Sequence, residues 1–266
     1  MKKYYSILIV VFLFMSCTLK SEIESLNDKI KNLETELDNC LHGADKLYAK
    51  LIEANEMKKY GHVQDLYNEL KTRHPEFNKL KETTEIYEKA FLAEEEDLRK
   101  IAFEKEKVEA EKKIALDKLK KNYDDVSGWT WYETPYLIHY NNRHLTSLYL
   151  GQKENTILLR LKMSYNGIGW IFFEDAYLSY DGNTQYIYFD KYQNKKSEIG
   201  SDGTVHEWID VKVSDLTVDF LENLVKSKTP KMRLSGKYTK TRTLSKKEID
   251  GIDLVLKAYA YLKENN

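Results

Sequence analysis

The stretch TILLRLKMSY, residues 156–165, decides how the second half of this chain folds. Ile157, Leu159, Leu161, Met163 and Tyr165 fall on alternate positions, with Arg160, Lys162 and Ser164 between them. Successive side chains of a strand point to opposite faces, so this pattern predicts a strand with one apolar and one polar face. The period recurs in VHEWIDVKV (205–213), where Val205, Ile209, Val211 and Val213 oppose His206, Trp208, Asp210 and Lys212. It recurs again in KMRLSGKY (231–238), where Met232, Leu234, Gly236 and Tyr238 alternate with Lys231, Arg233, Ser235 and Lys237. One-sided strands suit an antiparallel sheet with one wet face.

Working outward from these strands, Asn166-Gly167 and Asp181-Gly182 predict tight hairpins, because both dipeptides tolerate the positive φ such turns need. Asp202-Gly203 marks a further turn. Strands are predicted near 128–133, 146–151, 156–165, 170–180, 184–190, 205–213 and 231–239. DLTVDFLENLVKSK (215–228) reads as a helix with Leu216, Phe220 and Leu224 inward, joined by Leu221 and Val225. LSKKEIDGIDLVLKAYAYL (244–262) opens with a capping box, Ser245 and Glu248, and carries an apolar stripe of Ile249, Ile252, Leu256 and Tyr259. This second helix is expected to pack on the sheet.

Composition divides the chain near residue 125. All four tryptophans lie between Trp129 and Trp208, and nine of the eleven glycines lie at or beyond Gly128. The half before the divide is helical in pattern. Leu19, Ile23, Leu26, Ile30, Leu33, Leu37, Cys40, Ala44, Leu47, Leu51 and Ala54 follow a strict three-four spacing. A seam repeating every 3.5 residues is a coiled-coil signature, and Ile at one core position with Leu at the other favours parallel pairs. Lys29 and Glu34 flank the seam where they could pair across a dimer. A helix from 20 to 60 would be roughly 60 Å long. The other reading is a hairpin within one chain, because a second long helix follows a break at Thr72, His74 and Pro75. Residues 94–121 hold 18 charged side chains in 28, with a thin stripe of Leu98, Ile101, Val108, Ala115 and Leu119. Gly61, Leu66, Tyr67, Leu70 and Pro75 resemble part of a tetratricopeptide repeat. No second copy follows at the ~34-residue period, so the segment is read as a helix-turn-helix break.

The chain opens MKKYYSILIVVFLFMSC. Lys2 and Lys3 precede an apolar run from Ser6 to Met15, about half the roughly 20 residues a membrane span needs. Small Ser16 sits before Cys17. Phe14, Met15, Ser16 and Cys17, with Leu13 one place early, resemble the lipobox of bacterial prolipoproteins, although Phe14 and Met15 depart from its consensus. The resemblance covers about the first 17 residues. It implies a signal peptide over 1–16, cleavage before Cys17 and lipid on that cysteine. Thr18 is not the Asp that resembles an inner-membrane retention signal, which leans the expectation to the outer membrane. An acylated cysteine is held firmly, since each buried methylene contributes about 0.8 kcal/mol.

The resulting organisation is a signal peptide (1–16), a coiled-coil stalk helix (17–60), a second, highly charged helical segment (61–125) and a β-rich domain (126–266). The fold class is α+β: long N-terminal helices, as a coiled coil or helical hairpin, then an antiparallel sheet or sandwich with a C-terminal helix packed on it.

Little in the sequence points to catalysis. Charge is balanced at 42 basic against 43 acidic residues, so no basic excess argues for a nucleic-acid partner. With Cys17 lipidated, Cys40 is the remaining thiol; it sits on the predicted seam and would face its counterpart in a parallel dimer. Cysteine-pair metal sites are thereby excluded. HEWID (206–210) lacks the second His of a zinc-protease motif, and no phosphate-loop or nucleophile-elbow motif occurs. His139 and His144 read as ordinary surface or loop histidines. Glu174 and Asp175, and likewise Glu207 and Asp210, are spaced to point to opposite faces of a strand. No catalytic residue, metal or cofactor is expected. What stands out is aromatic density, with Trp129, Trp131, Tyr186, Tyr188 and Trp208 as candidate binding aromatics, suited to a protein or glycan ligand. The expectation is a non-enzymatic, membrane-anchored envelope lipoprotein that dimerises through residues 19–54 and presents a binding or structural β domain. The alternatives are an envelope hydrolase using scattered carboxylates, and a plain spacer.

Overall fold

The computed structural model describes residues 22–40, 42–140 and 143–266. Cys17, the leader and Leu19 lie outside them. The chain divides into two compact units, one ending at Phe103 and the other running Glu104–Asn266.

In the first unit, α1 covers residues 22–40 and is followed by α2 (Ala44–Glu56), α3 (Tyr60–Arg73) and the first part of α4 (Leu80–Asp117). The heptad run predicted as one helix is interrupted at Gly43, whose ψ of 147° is extended. A Cβ there would lie 2.4 Å from the Asn39 carbonyl oxygen, so the break needs glycine. The interruption divides the seam. Leu47, Leu51 and Ala54 are buried against Val63, Leu66, Tyr67, Leu70 and Ala90 of α3 and α4. Ile23, Leu26, Ile30, Leu33 and Leu37 are instead exposed, each by more than half. The heptad run of 19–54 is therefore not one continuous free seam, because its second part already has a partner within the chain. The α3–α4 break falls at His74–Lys79, where the sequence placed it around Pro75. Along α4, Leu98, Ile101 and Val108 are exposed, whereas Ala115 is buried; Leu119, just beyond the helix, is buried too.

The second unit holds two antiparallel sheets. The six-stranded sheet has the order β1-β2-β3-β4-β8-β7, built from β1 (Lys120–Asp124), β2 (Trp129–Glu133), β3 (Thr146–Lys153), β4 (Thr156–Gly167), β7 (Lys195–Ile199) and β8 (Val205–Lys212). The four-stranded sheet has the order β10-β9-β5-β6, from β5 (Phe173–Tyr180), β6 (Asn183–Tyr186), β9 (Lys231–Gly236) and β10 (Thr239–Thr243). Helices α5 (Asp215–Leu224) and α6 (Lys246–Glu264) complete it. Sheet residues Leu148, Leu161, Met163, Ile209, Phe173 and Leu234 share one core with Leu221 of α5 and Ile252 and Val255 of α6.

Several expectations change. Asn166-Gly167 is no hairpin: β4 continues through it, pairing Asn166 with His206 and Gly167 with Val205. The tight turns are Asp181-Gly182 (φ 47° and 86°) and Glu154-Asn155, where Glu154 takes φ 51° without help from glycine. Strand β1 lies in the stretch assigned to helix, and β7 and β10 were not foreseen. These three are edge strands with mostly exposed side chains, so they lack the apolar alternation that reveals a strand. Leu216 faces solvent rather than the core, and α5 ends at Leu224.

The capping box at Ser245 forms as read, and Glu248 does more than cap. Its Oε1 accepts from Thr146 N (2.7 Å) and Arg242 Nη2 (2.6 Å), and its Oε2 from Ser245 N (2.8 Å) and Arg242 Nη1 (2.9 Å). This buried carboxylate joins β3, β10 and α6. Glu207 plays a comparable part: on the core face of β8 it accepts from Ile171 N (2.7 Å) and Phe172 N (3.1 Å), with Lys195 Nζ at 3.3 Å.

Candidate ligand-binding face of the six-stranded sheet

The polar face of the six-stranded sheet follows from its register. Lys162 pairs with Ser147 on one side and Asp210 on the other; Arg160 pairs with Tyr149 and Lys212; Ser164 pairs with Trp208. Directly opposed residues share a face. Tyr149 in turn opposes Glu133, and Gly151 opposes Trp131. One surface thus carries Trp129, Trp131, Glu133, Ser147, Tyr149, Arg160, Lys162, Trp208 and Asp210.

Its aromatic row is contiguous. The Trp129 and Trp131 rings stack at 5.5 Å, and Trp131 meets Tyr149 at 5.6 Å. Gly151 makes this possible, since a Cβ there would lie 2.7 Å from Trp131 Cζ3 and 3.0 Å from Trp129 Cε3. The indoles lie against bare backbone, half-buried.

Beside the row stands a charged cluster. Arg160 Nε donates to Asp210 Oδ1 and to the Tyr149 hydroxyl oxygen, both at 2.8 Å, and the Tyr149 hydroxyl donates to Asp210 Oδ2 at 2.7 Å. Burial, and then the Asp210 carboxylate, push the Tyr149 phenol well above its ordinary pKa, so it stays a neutral donor. Burial pulls the Lys162 ammonium down, opposed by Asp210, Glu133 and Glu198. Lys162 Nζ also lies 5.6 Å from the Trp208 ring centre.

A cavity of about 430 Å³ opens on this face, lined by Trp131, Glu133, Ser147, Tyr149, Lys162 and Asp210, with Leu137, Ile138 and His139 forming a wall. His139 Nε2 is 2.6 Å from Ser147 Oγ, while its Nδ1 is buried without a partner. Burial, reinforced by the positive charges of Lys162, His206 and Arg143, drops His139 to about 3. It is therefore neutral at ordinary pH, and no carboxylate bonds to it among the described residues.

Of the candidate aromatics, Trp129 and Trp131 stack here; Trp208 shares the face but stands towards the other end of β4, opposite Ser164 and against the His206 ring at 4.9 Å. Tyr186 and Tyr188 lie elsewhere: Tyr186 packs at 5.3 Å against Tyr177 beside the four-stranded sheet, and Tyr188 is largely exposed while Ile187 and Phe189 are buried. Cys40 is a free, exposed thiol at the end of α1. Sequence reasoning does not mark Tyr149, Arg160 or Lys162 as site residues and weighs Asp210 only against Glu207, although the alternation of β4 and β8 places Arg160, Lys162 and Asp210 on the wet face. Among the described residues no cluster of His, Cys, Asp and Glu could hold a metal, and no helix is long and apolar enough to cross a membrane. No protein-family model, curated protein or solved structure matches the chain.

Proposed function

We propose that this is a non-enzymatic bacterial envelope lipoprotein, anchored by lipid on Cys17, whose β-rich unit binds another envelope component through the polar face of its six-stranded sheet. The observation that carries the binding reading is the Trp129–Trp131–Tyr149 row laid over Gly151, beside the Arg160–Asp210 pair. Half-exposed aromatics give large contact area at small entropic cost, and the adjacent charges supply direction. The anchor rests on the lipobox resemblance, and Thr18 in place of Asp leans the location to the outer membrane. The exposed Ile23–Leu37 seam, which has no partner among the described residues of the chain, favours a parallel homodimer over that shorter length.

Recovery of envelope components on the wild-type chain, compared with Trp131→Ala, tests the binding face. A component lost with the variant supports it; identical recovery overturns it. Fatty-acid labelling that persists in Cys17→Ser would remove the anchor. A hydrolase reading has one observation in its favour, that Glu133 and Asp210 line the same cavity. Asp210 is already engaged by Arg160 and Tyr149, which suits a structural carboxylate better than a proton donor.

A further inference from the structure

A second cavity of the β-rich unit lies apart from the aromatic face. About 770 Å³ in volume, it lies between the end of β4 with the loop that follows and the β9–β10 hairpin. Its apolar floor is Ile171, Met232 and Leu234, all buried, and Trp170 and Ile168 stand at its side. Ile168 is 95% exposed at the tip of a Gly167–Gly169 loop. The volume falls within the roughly 300–1,000 Å³ of small-molecule sites.

The charge of the lining is one-sided. Lys240, Arg242 and His144 border the cavity, and no Asp or Glu does. The register explains how the cations come there. Lys240 pairs with Leu234 and Arg242 with Met232, so both stand on the face of β10 that continues the apolar floor. Arg242 is neutralised by Glu248. Lys240 makes no ion pair among the described residues. An apolar slot ending at one uncompensated ammonium is complementary to a chain with an anionic head.

We propose that this cavity binds a single-chain anionic amphiphile, a carboxylate on a long hydrocarbon chain, with the chain against Trp170, Ile168 and Tyr238 above the buried floor and the head at Lys240. The site is separate from the aromatic face, so the two readings stand or fall independently.

The test is photolabelling of the full chain in its membrane with a diazirine-bearing long-chain carboxylate and with the matched trimethylammonium, followed by peptide mapping. The carboxylate is expected to label residues 164–171 and 232–242 about fivefold more than the cation does, the size of one partly solvated ion pair. Lys240→Glu should reverse that order; Lys240 is exposed, so the fold does not depend on it. Ile168→Asp, at an exposed lining position, should reduce labelling by both probes. Equal labelling by the two head groups, indifference to Lys240→Glu, or crosslinks confined to the exposed α1 seam would each overturn the proposal.

Discussion

Replacing Glu248 by glutamine is expected to destabilise the β-rich unit almost as much as replacing it by alanine. Every group around this carboxylate is a donor. Oε1 receives Thr146 N and Arg242 Nη2; Oε2 receives Ser245 N, the Ser245 hydroxyl and Arg242 Nη1. A glutamine amide must turn its NH₂ toward one of these two sets, setting donor against donor whichever way it flips. Alanine removes the Glu248 half of the capping box and leaves Ser245 N–H without its acceptor, at a cost of about 1 kcal/mol. It also leaves the buried Thr146 N–H unpaired, a further ~1–3 kcal/mol. Arg242 would lose its carboxylate while its Nε is already buried without a partner. The total is about 3–5 kcal/mol, as expected when one member of a buried pair is removed, or roughly 10 °C in Tm for a unit of this size. Tryptophan fluorescence isolates the effect, because all four tryptophans lie between Trp129 and Trp208, inside this unit. The sign with pH also follows. Burial would raise the Glu248 pKa, but Arg242 and the backbone donors of Ser245 and Thr146 outweigh it, and the native value is lowered. The stabilisation is therefore present above the unfolded carboxyl pKa and lost as pH falls through the lower native value. Glu248→Gln should flatten that acid limb. A glutamine variant within about 1 kcal/mol of wild type, or one with an unchanged acid limb, would refute this reasoning.

Other substitutions probe other parts of the molecule. Gly151→Val should displace the indoles, changing the near-ultraviolet circular dichroism and weakening ligand recovery, at a stability cost of only about 1 kcal/mol because half-exposed rings can swing aside; an unchanged aromatic spectrum counts against the row. His139 should show no imidazole titration by NMR between about pH 8 and pH 5. Its depressed pKa should make the unit lose stability as pH drops below the unfolded histidine value, and a midpoint near the ordinary one would contradict the burial argument. Mild oxidation should link Cys40 to Cys40 in a parallel dimer, and Leu33→Lys should abolish the link; a wild-type chain that never crosslinks would argue against parallel register.

The sequence by itself determined the α+β class, the long N-terminal helices, most strands of the second half and the capped C-terminal helix. Each of these is written in local periodicity: 3.5 residues for the seam, two for β4 and β8, and Ser245 three residues before Glu248 for the cap. Tertiary structure alone decided the rest. Gly43 ends one helix and starts another because α2 gains a buried partner in α3, whereas the heptad spacing runs on regardless. Edge strands β1, β7 and β10 owe their existence to hydrogen bonds from neighbours, and their side chains carry little apolar pattern. The aromatic and charged face depends on pairing between β2, β3, β4 and β8, which brings Trp131, Tyr149, Arg160 and Asp210 together from up to 79 positions apart in the sequence. Alternation tells which side of a strand a residue takes. Only register tells which residue of another strand stands beside it, and it is register that places Gly151 beneath two tryptophans and Lys240 beside Leu234.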